Sequence, residues 1–238
     1  MKRDYISFSA LKAFAKSPNH YLQYIAGDAP KTDAMTFGSA FHCFVLEPDQ
    51  FDSRYIVLPK MDRRTKEGKA AFESFSASGR ELISEGDFQA MLRMRDSIMS
   101  NPAAVELLEG CAYEQPVHVP FEGTQIKGIV DAWRKGAFIL DLKTCADASP
   151  DGFTRAAHLS MYHEQAALYQ MACGESRFYW IAIENVAPYN CAVYIQSERA
   201  HEMAYQRAKG LVRKFVEWDG EPAAYFGGCK ELDLPRWA

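Results

Sequence analysis

Two aspartates and a lysine stand out in the stretch GIVDAWRKGAFILDLKT, residues 128–144. Asp131 lies inside one apolar run, and Asp141 lies two residues ahead of Lys143 in the next. Burying a lone carboxylate or ammonium costs several kcal/mol, so such groups are normally paired, hydrogen-bonded or bound to a cation. Lys135-Gly136 reads as a tight turn, which makes the two runs antiparallel neighbours. Side chains alternate along a strand, so Asp141 and Lys143 share one face and Leu142 takes the other. A cross-strand pair of carboxylates sits roughly 5 Å apart at Cβ, where the two repel unless a cation lies between them. Hard oxygen ligands at that spacing suit Mg²⁺ or Mn²⁺, which keep several waters and bind substrate phosphate. A lysine beside such an ion can orient or help deprotonate an attacking water, or neutralise charge developing on the phosphate. A plain salt bridge between Asp131 and Lys143 accounts for the same three residues, and the short pattern alone does not choose.

These groups need elements to hold them. SFSALKAFAKSPNHYLQYIAG reads as helix, with Ser7 or Ser9 as N-cap, a break at Pro18 and an end at Gly27. Met35 to Leu46 has the apolar spacing of a short buried helix with Pro48 beyond it, and 59–69 is a polar loop carrying five basic and two acidic residues. Two helices follow, Ser84 capping the second and Pro102 lying just past its end. The period then changes. Short β-prone runs split at Glu122-Gly123 and Lys135-Gly136 form a three-stranded meander, followed by one helix from Phe153 to Gly174, two strands around Pro188 and a long amphipathic helix. The order predicts an α/β fold with a mixed sheet flanked by helices. It reads as one domain over 1–238: a mainly helical part to 110, an αβ core over 111–218 and a tail over 219–238.

The 238 residues are 48% apolar and 24% charged with net charge −4, an ordinary globular composition that leaves room for one basic face. Cys43, Cys111, Cys145, Cys173, Cys191 and Cys229 form no C-x-x-C pair, which favours reduced thiols in a cytoplasmic protein over a zinc site or disulfide framework. No apolar run is long enough to span a bilayer, and the first residues lack a signal-peptide core. A Walker-type phosphate loop is absent, so ATP coupling is not encoded.

The D-(x9)-D-x-K arrangement resembles the core of the PD-(D/E)XK nucleases, and GIVDAW…ILDLKT resembles its version in recombination exonucleases. FGSAFH resembles the helix motif whose last residue, here His42, is a metal ligand in that branch. YHEQAALYQ supplies Q-x-x-x-Y, Gln165 and Tyr169, as in the lambda exonuclease and RecB-like groups. The opening S-x-S-x-L-K-x-F-x-x-S-P-x-H-Y, and PKMDRRTKEGKAAFESF after the histidine motif, resemble the nuclease domain of exonuclease VIII (RecE) and its phage relatives. The first-motif proline is replaced by Val130.

The resemblance implies that His42, Asp131, Asp141 and the Leu142 backbone carbonyl hold Mg²⁺, with Mn²⁺ able to substitute, and that Lys143 is the catalytic lysine. It implies no iron–sulfur cluster, since Cys229 stands alone near the end. Gln165 and Tyr169 lie four apart on one helix face, either as a plain polar edge or as a grip on the DNA end or the phosphate near the scissile bond. Tyr162 lies one turn earlier on the same side. Glu114 is a possible additional acid, and equally a surface strand residue. Lys60, Arg63, Arg64, Lys66 and Lys69 are either solvated charge or a salt-sensitive DNA contact. The implied activity is exonucleolytic digestion of linear double-stranded DNA from 5′ ends, leaving 3′ strands for recombination by annealing. Its implied partners are DNA ends, a RecT-like single-strand annealing protein and further copies in a ring, in a bacterial or phage-infected cytoplasm. The alternatives are an endonuclease or opposite-polarity nuclease of the same fold, and a DNA-binding module without catalysis.

Overall fold

A computed structural model of the chain describes residues 2–27, 32–62, 64–222, 231 and 233. Arg63, Cys229 and most of the expected tail lie outside the described residues. The chain enters through a short strand, β1 (Tyr5–Ser7), which turns directly into helix α1 (Phe8–Lys16). Ser7 caps that helix by accepting the Ala10 N–H; Ser17 caps α2 (Pro18–Ala26), which ends at Gly27 in the left-handed region. Thr32 starts α3 (Asp33–Leu46), and Pro48 opens a further short helix, α4 (Pro48–Arg54), instead of merely following α3.

The polar stretch 59–69, expected as loop throughout, is helical from Lys66. Thr65 accepts the Gly68 N–H and starts α5 (Lys66–Ser76), and a Cβ at Gly68 would lie on the Asp62 carbonyl. Two four-residue strands, β2 (Tyr55–Leu58) and β3 (Glu81–Ser84), pair in parallel as a small separate sheet. Runs that short carry too little alternation to be read as strands. Ser84 caps α6 (Glu85–Met99) as expected, and Asn101 caps α7 (Pro102–Leu108).

The meander is present: β4 (Ala112–Phe121), β5 (Thr124–Arg134) and β6 (Phe138–Cys145). Its turns fall where expected, with positive φ at Glu122, Gly123 and Gly136. The single helix expected from Phe153 to Gly174 is two, α8 (Pro150–Leu159) and α9 (Tyr162–Cys173). Met161 lies between them at φ 59, which breaks the i→i−4 ladder where neither glycine nor proline announces it. Strands β7 (Phe178–Glu184) and β8 (Cys191–Ile195) and the helix α10 (Glu198–Glu217) complete the order.

Six strands form one mixed sheet around β5. β4 pairs antiparallel along nearly all of β5, from Ala112↔Trp133 to Phe121↔Thr124. The opposite edge of β5 is shared. β1 pairs in parallel at Gln125–Lys127, and β6 pairs antiparallel at Ala132–Arg134. Between them, residues 128–131 have no ladder partner on that side. The sheet is therefore split for four residues in its middle.

Helices cover both faces. Leu140, Leu142, Ile181 and Ile183 pack under α3 and α6, while Ile139, Trp180 and Ala182 pack under α8 and α9. A third apolar cluster joins β1, α1, α2 and α10 through Ile6, Leu11, Tyr21 and Phe215. Strict alternation would keep Val130 and Ala132 on one face, yet Val130 packs with the α9 side and Ala132 with the α3 side. Val117 and Tyr113 on β4 divide in the same way. Both strands roll over between these positions, at Glu114 (φ 50) and Asp131.

Candidate active site

The register that pairs Ala132 with Leu140 would next bring Asp131 opposite Asp141, but the ladder stops there. Asp131 replaces the missing partner with its side chain, Oδ2 accepting the Leu142 N–H at 2.9 Å. The same Oδ2 lies 3.4 Å from His42 Nδ1, delivered from α3. Across the other edge, the β4 register places Glu114 opposite Asp131, with its neighbours Tyr113 and Gln115 paired to Ala132 and Val130. One ligand atom each from His42, Glu114 and Asp131 lie within 4.8 Å of one another. Glu114 is thus drawn into the centre rather than left on a surface strand.

Asp141 and Lys143 share a face of β6, as the alternation predicts. Lys143 Nζ lies 2.6 Å from Asp141 Oδ2, both side chains largely buried at 16% and 3% exposure. Lys143 thus occupies Asp141 Oδ2 with a charge-assisted contact. The Lys143 ammonium also sits 4.8 Å from the Tyr162 ring centroid, which favours its charged form. The Leu142 carbonyl accepts from the His42 imidazole, so it too is turned into the site. The salt bridge that competes with a metal site at the level of sequence runs to Asp141, not to Asp131.

Helix α9 supplies the wall facing the sheet gap. Tyr169 is buried and hydrogen-bonded to the Gln165 side chain. Its ring rests on the bare Cα of Gly128: a Cβ there would lie 2.7 Å from the hydroxyl oxygen and 2.8 Å from the ring edge. Lys12 on α1 is a further neighbour that sequence reasoning passed over. Burial and the nearby Lys143 charge lower its affinity for a proton. Its one signal was membership of the S-x-S-x-L-K stretch, and nothing local ties that stretch to Lys143.

A cavity of about 370 Å³ opens onto the centre, lined by Gly38, His42, Glu114, Asp131 and the Glu47–Arg54 ion pair among others. Of the basic loop, Lys60, Arg64, Lys66 and Lys69 are exposed and none lines this cavity. Arg64 is held by Asp62 at 3.2 Å.

The electrostatics suit a cation. Burial, aided by Lys143, drives His42 down to about 4, leaving a neutral imidazole with a lone pair to donate. Burial raises Asp131, pushes Asp141 up to about 6, and with Asp131 beside it pushes Glu114 up to about 7. Burial alone would lower Lys143, but Asp141 and Asp131 outweigh it and hold the ammonium above its ordinary value. An imidazole and clustered, largely buried carboxylates form a hard donor set that fits a divalent ion of the Mg²⁺ or Mn²⁺ kind.

A stability test follows from Glu114. Its folded value lies above that of the unfolded chain, so the unfolded chain loses its proton first and stability falls as pH rises from about 4.5 to about 7. Glu114→Gln removes that loss. The metal-free variant should melt about 2–6 °C above wild type at pH 8, from about 1–2 kcal/mol after allowance for partial exposure. At pH 4 the two should coincide, and added Mg²⁺ should stabilise the variant less than wild type. Melting curves in EDTA and in Mg²⁺ at both pH values decide it; a variant that melts lower at pH 8 refutes the strained, proton-holding carboxylate.

Comparison with known proteins bears on the fold. The family described as a PDDEXK-like domain of unknown function (DUF3799) matches residues 7–229. A search of curated proteins finds no match. Among solved structures, the chain is similar to a presumed exonuclease from Eubacterium rectale, at 18% identity and TM-score 0.67, over 90% of this chain and 80% of that one. At that identity the likeness speaks for the fold alone. A phage-related exonuclease from Haemophilus somnus 129PT matches at 12% identity and TM-score 0.37, over 78% of this chain and 86% of that one. An alkaline exonuclease from Laribacter hongkongensis matches at 14% and 0.31, over 71% and 92%. Scores that low carry no argument. The family match spans β4 to β8, the split that holds the acids and the helices that wall it, so the chain belongs to the PDDEXK-like DUF3799 family and has the fold of the PD-(D/E)XK nucleases.

Proposed function

We propose that this chain is a divalent-metal-dependent exodeoxyribonuclease that digests linear double-stranded DNA, working 5′→3′ and leaving 3′ single strands. The observation that carries the reading is the meeting of His42, Glu114, Asp131, Asp141 and Lys143 where β5 and β6 part. A binding module has no use for a buried carboxylate cluster beside a buried ammonium, which costs stability without a bound cation.

When bound, a divalent cation supplies polarisation of water and stabilisation of the leaving oxygen. His42, Asp131 and Asp141 hold it, with Glu114 and the Leu142 carbonyl as further oxygen donors at the same centre. In the metal-free site Lys143 is held protonated by Asp141 and Asp131, and beside the phosphate it would supply positive charge to the developing oxyanion. Gln165 and Tyr169 offer an amide and a hydroxyl to the scissile phosphate or the DNA end. Lys12 adds a second cation on the α1 side, and the exposed lysines of the 60–69 segment take phosphates farther along. Further copies in a ring and a single-strand annealing protein complete the proposal.

The test uses duplex DNA labelled at either the 5′ or the 3′ end, beside a relaxed closed circle, with Mg²⁺ or EDTA. Early mononucleotide release from the 5′ label, intact circles and no reaction in EDTA is the expected result. Cut circles would replace the reading with an endonuclease. Binding without cleavage under any divalent ion would replace it with a DNA-binding module.

A further inference from the structure

A second pocket, of about 330 Å³, lies between α8, α9 and α10 and shares no lining residue with the first. Glu164 lines it from α9, and Glu164 is two residues from Tyr162, hence on the far side of that helix from the Lys143 wall. Its chemistry is one-sided. Arg199, Arg207, His158 and His163 line it, against a single lining carboxylate, Glu164.

That carboxylate is already committed. Glu164 is buried, and Arg207 reaches its Oε1 at 3.2 Å. Arg199 has no acid beside it among the described residues' ion pairs, and it stands on the first turn of α10 just after the Ser197 cap, where helix N–H groups favour anions. Arg199 and Arg207 are eight apart, so both lie on one stripe of α10 facing the pocket. His163 lines the pocket from α9, its ring set edge-on to Trp180. Burial is the main cause that disfavours charging His163; Glu164 opposes it, and Arg207 and His158 add to it. A pocket with a free guanidinium, a second guanidinium on the same helix and a single, already paired carboxylate is short of one thing, an anion with several acceptor oxygens.

We propose that this pocket binds a phosphate group, carried either by a free nucleoside monophosphate or by the DNA backbone, and that it does so without the metal centre. The proposal does not depend on the nuclease reading.

Calorimetric titration of the full chain in EDTA tests it, with inorganic phosphate, dAMP and a short duplex as separate probes against sodium chloride of equal ionic strength. Arg199→Gln is the informative variant, because Arg199 is exposed whereas loss of Arg207 would strand the buried Glu164 charge. Phosphate should bind Arg199→Gln roughly ten-fold more weakly than wild type, and bind Asp141→Asn as it binds wild type. The organic probe that loses affinity with Arg199→Gln identifies the source of the phosphate. Unchanged phosphate binding in Arg199→Gln would overturn the site. Loss of phosphate binding in Asp141→Asn would overturn it too, by placing the anion at the metal centre.

Discussion

Asp141→Asn is expected to lower hydrolysis of linear duplex DNA by at least about 10³-fold, about 4 kcal/mol of transition-state stabilisation, while the chain stays folded. The two halves of that expectation have separate causes. Asp141 is buried with its Oδ2 against the Lys143 ammonium, and burial pushes its carboxyl up to about 6. An amide keeps the shape but cannot carry the negative charge that a divalent cation needs, so the reaction is lost. Stability moves the other way for Asp141 taken alone. Its folded value lies above the unfolded one, so ionising it costs stability as pH rises from about 4 to about 6, and asparagine is free of that cost. Against this, Lys143 loses its nearest counter-charge and keeps only Asp131. The melting temperature at pH 8 should therefore stay near that of wild type in EDTA, and Mg²⁺ should no longer raise it. Residual activity above a tenth of wild type at saturating Mg²⁺ would remove Asp141 from the centre.

Gly128→Ala should produce the next largest effect without touching any charged group. The new methyl would stand 2.7 Å from the Tyr169 hydroxyl oxygen and 2.8 Å from its ring edge, distances real Cβ atoms essentially never show. Tyr169 cannot yield cheaply, since it is buried and packed with Val130, Ala166 and Phe178. The ring must shift by about 1 Å, enough to cost about 10²-fold in rate if the hydroxyl positions substrate, and overpacking should cost about 1–3 kcal/mol of stability. Tyr169→Phe separates the causes, because it removes the hydroxyl and leaves the packing. If Tyr169 serves the reaction, Tyr169→Phe loses activity without loss of stability, and Gly128→Ala loses both. Full activity in Tyr169→Phe would leave Gly128 as a packing residue only.

The reach of sequence reasoning differed from residue to residue for physical reasons. Asp131, Asp141 and Lys143 could be placed because the tight turn at Lys135-Gly136 sets a register, and alternation then assigns faces. The register indeed runs toward Asp131 opposite Asp141, but the pattern gave no sign that the ladder ends one pair short and that a carboxylate takes the vacant N–H. Glu114 stayed ambiguous because its position depends on a positive φ in the middle of a strand, which no residue type there advertises. His42 came from a motif rather than from spacing, since a histidine in an apolar helix has no local mark of function. Lys12 was missed because β1, the strand that fixes α1 against the sheet, is three residues long and shows no period. The break at Met161 was missed for want of a glycine or proline, although it sets the direction in which α9 carries Gln165 and Tyr169.

The shared edge of β5 has a bearing on how the chain is made. Synthesis delivers Tyr5–Ser7 more than a hundred residues before their ladder partners, Gln125–Lys127. The apolar sides of α1 and α2 wait longer still, for Phe215 and Trp218, whose rings meet Phe14 and Tyr21 at 5.2–5.5 Å between centroids. Contacts so distant in sequence form late, because the intervening chain must be closed first. The meander that carries Glu114, Asp131, Asp141 and Lys143 is local in sequence, so it is expected to form before the side that bears Lys12 closes over it. The α1 side of the centre is therefore expected to close last, once α10 has docked on α1 and α2.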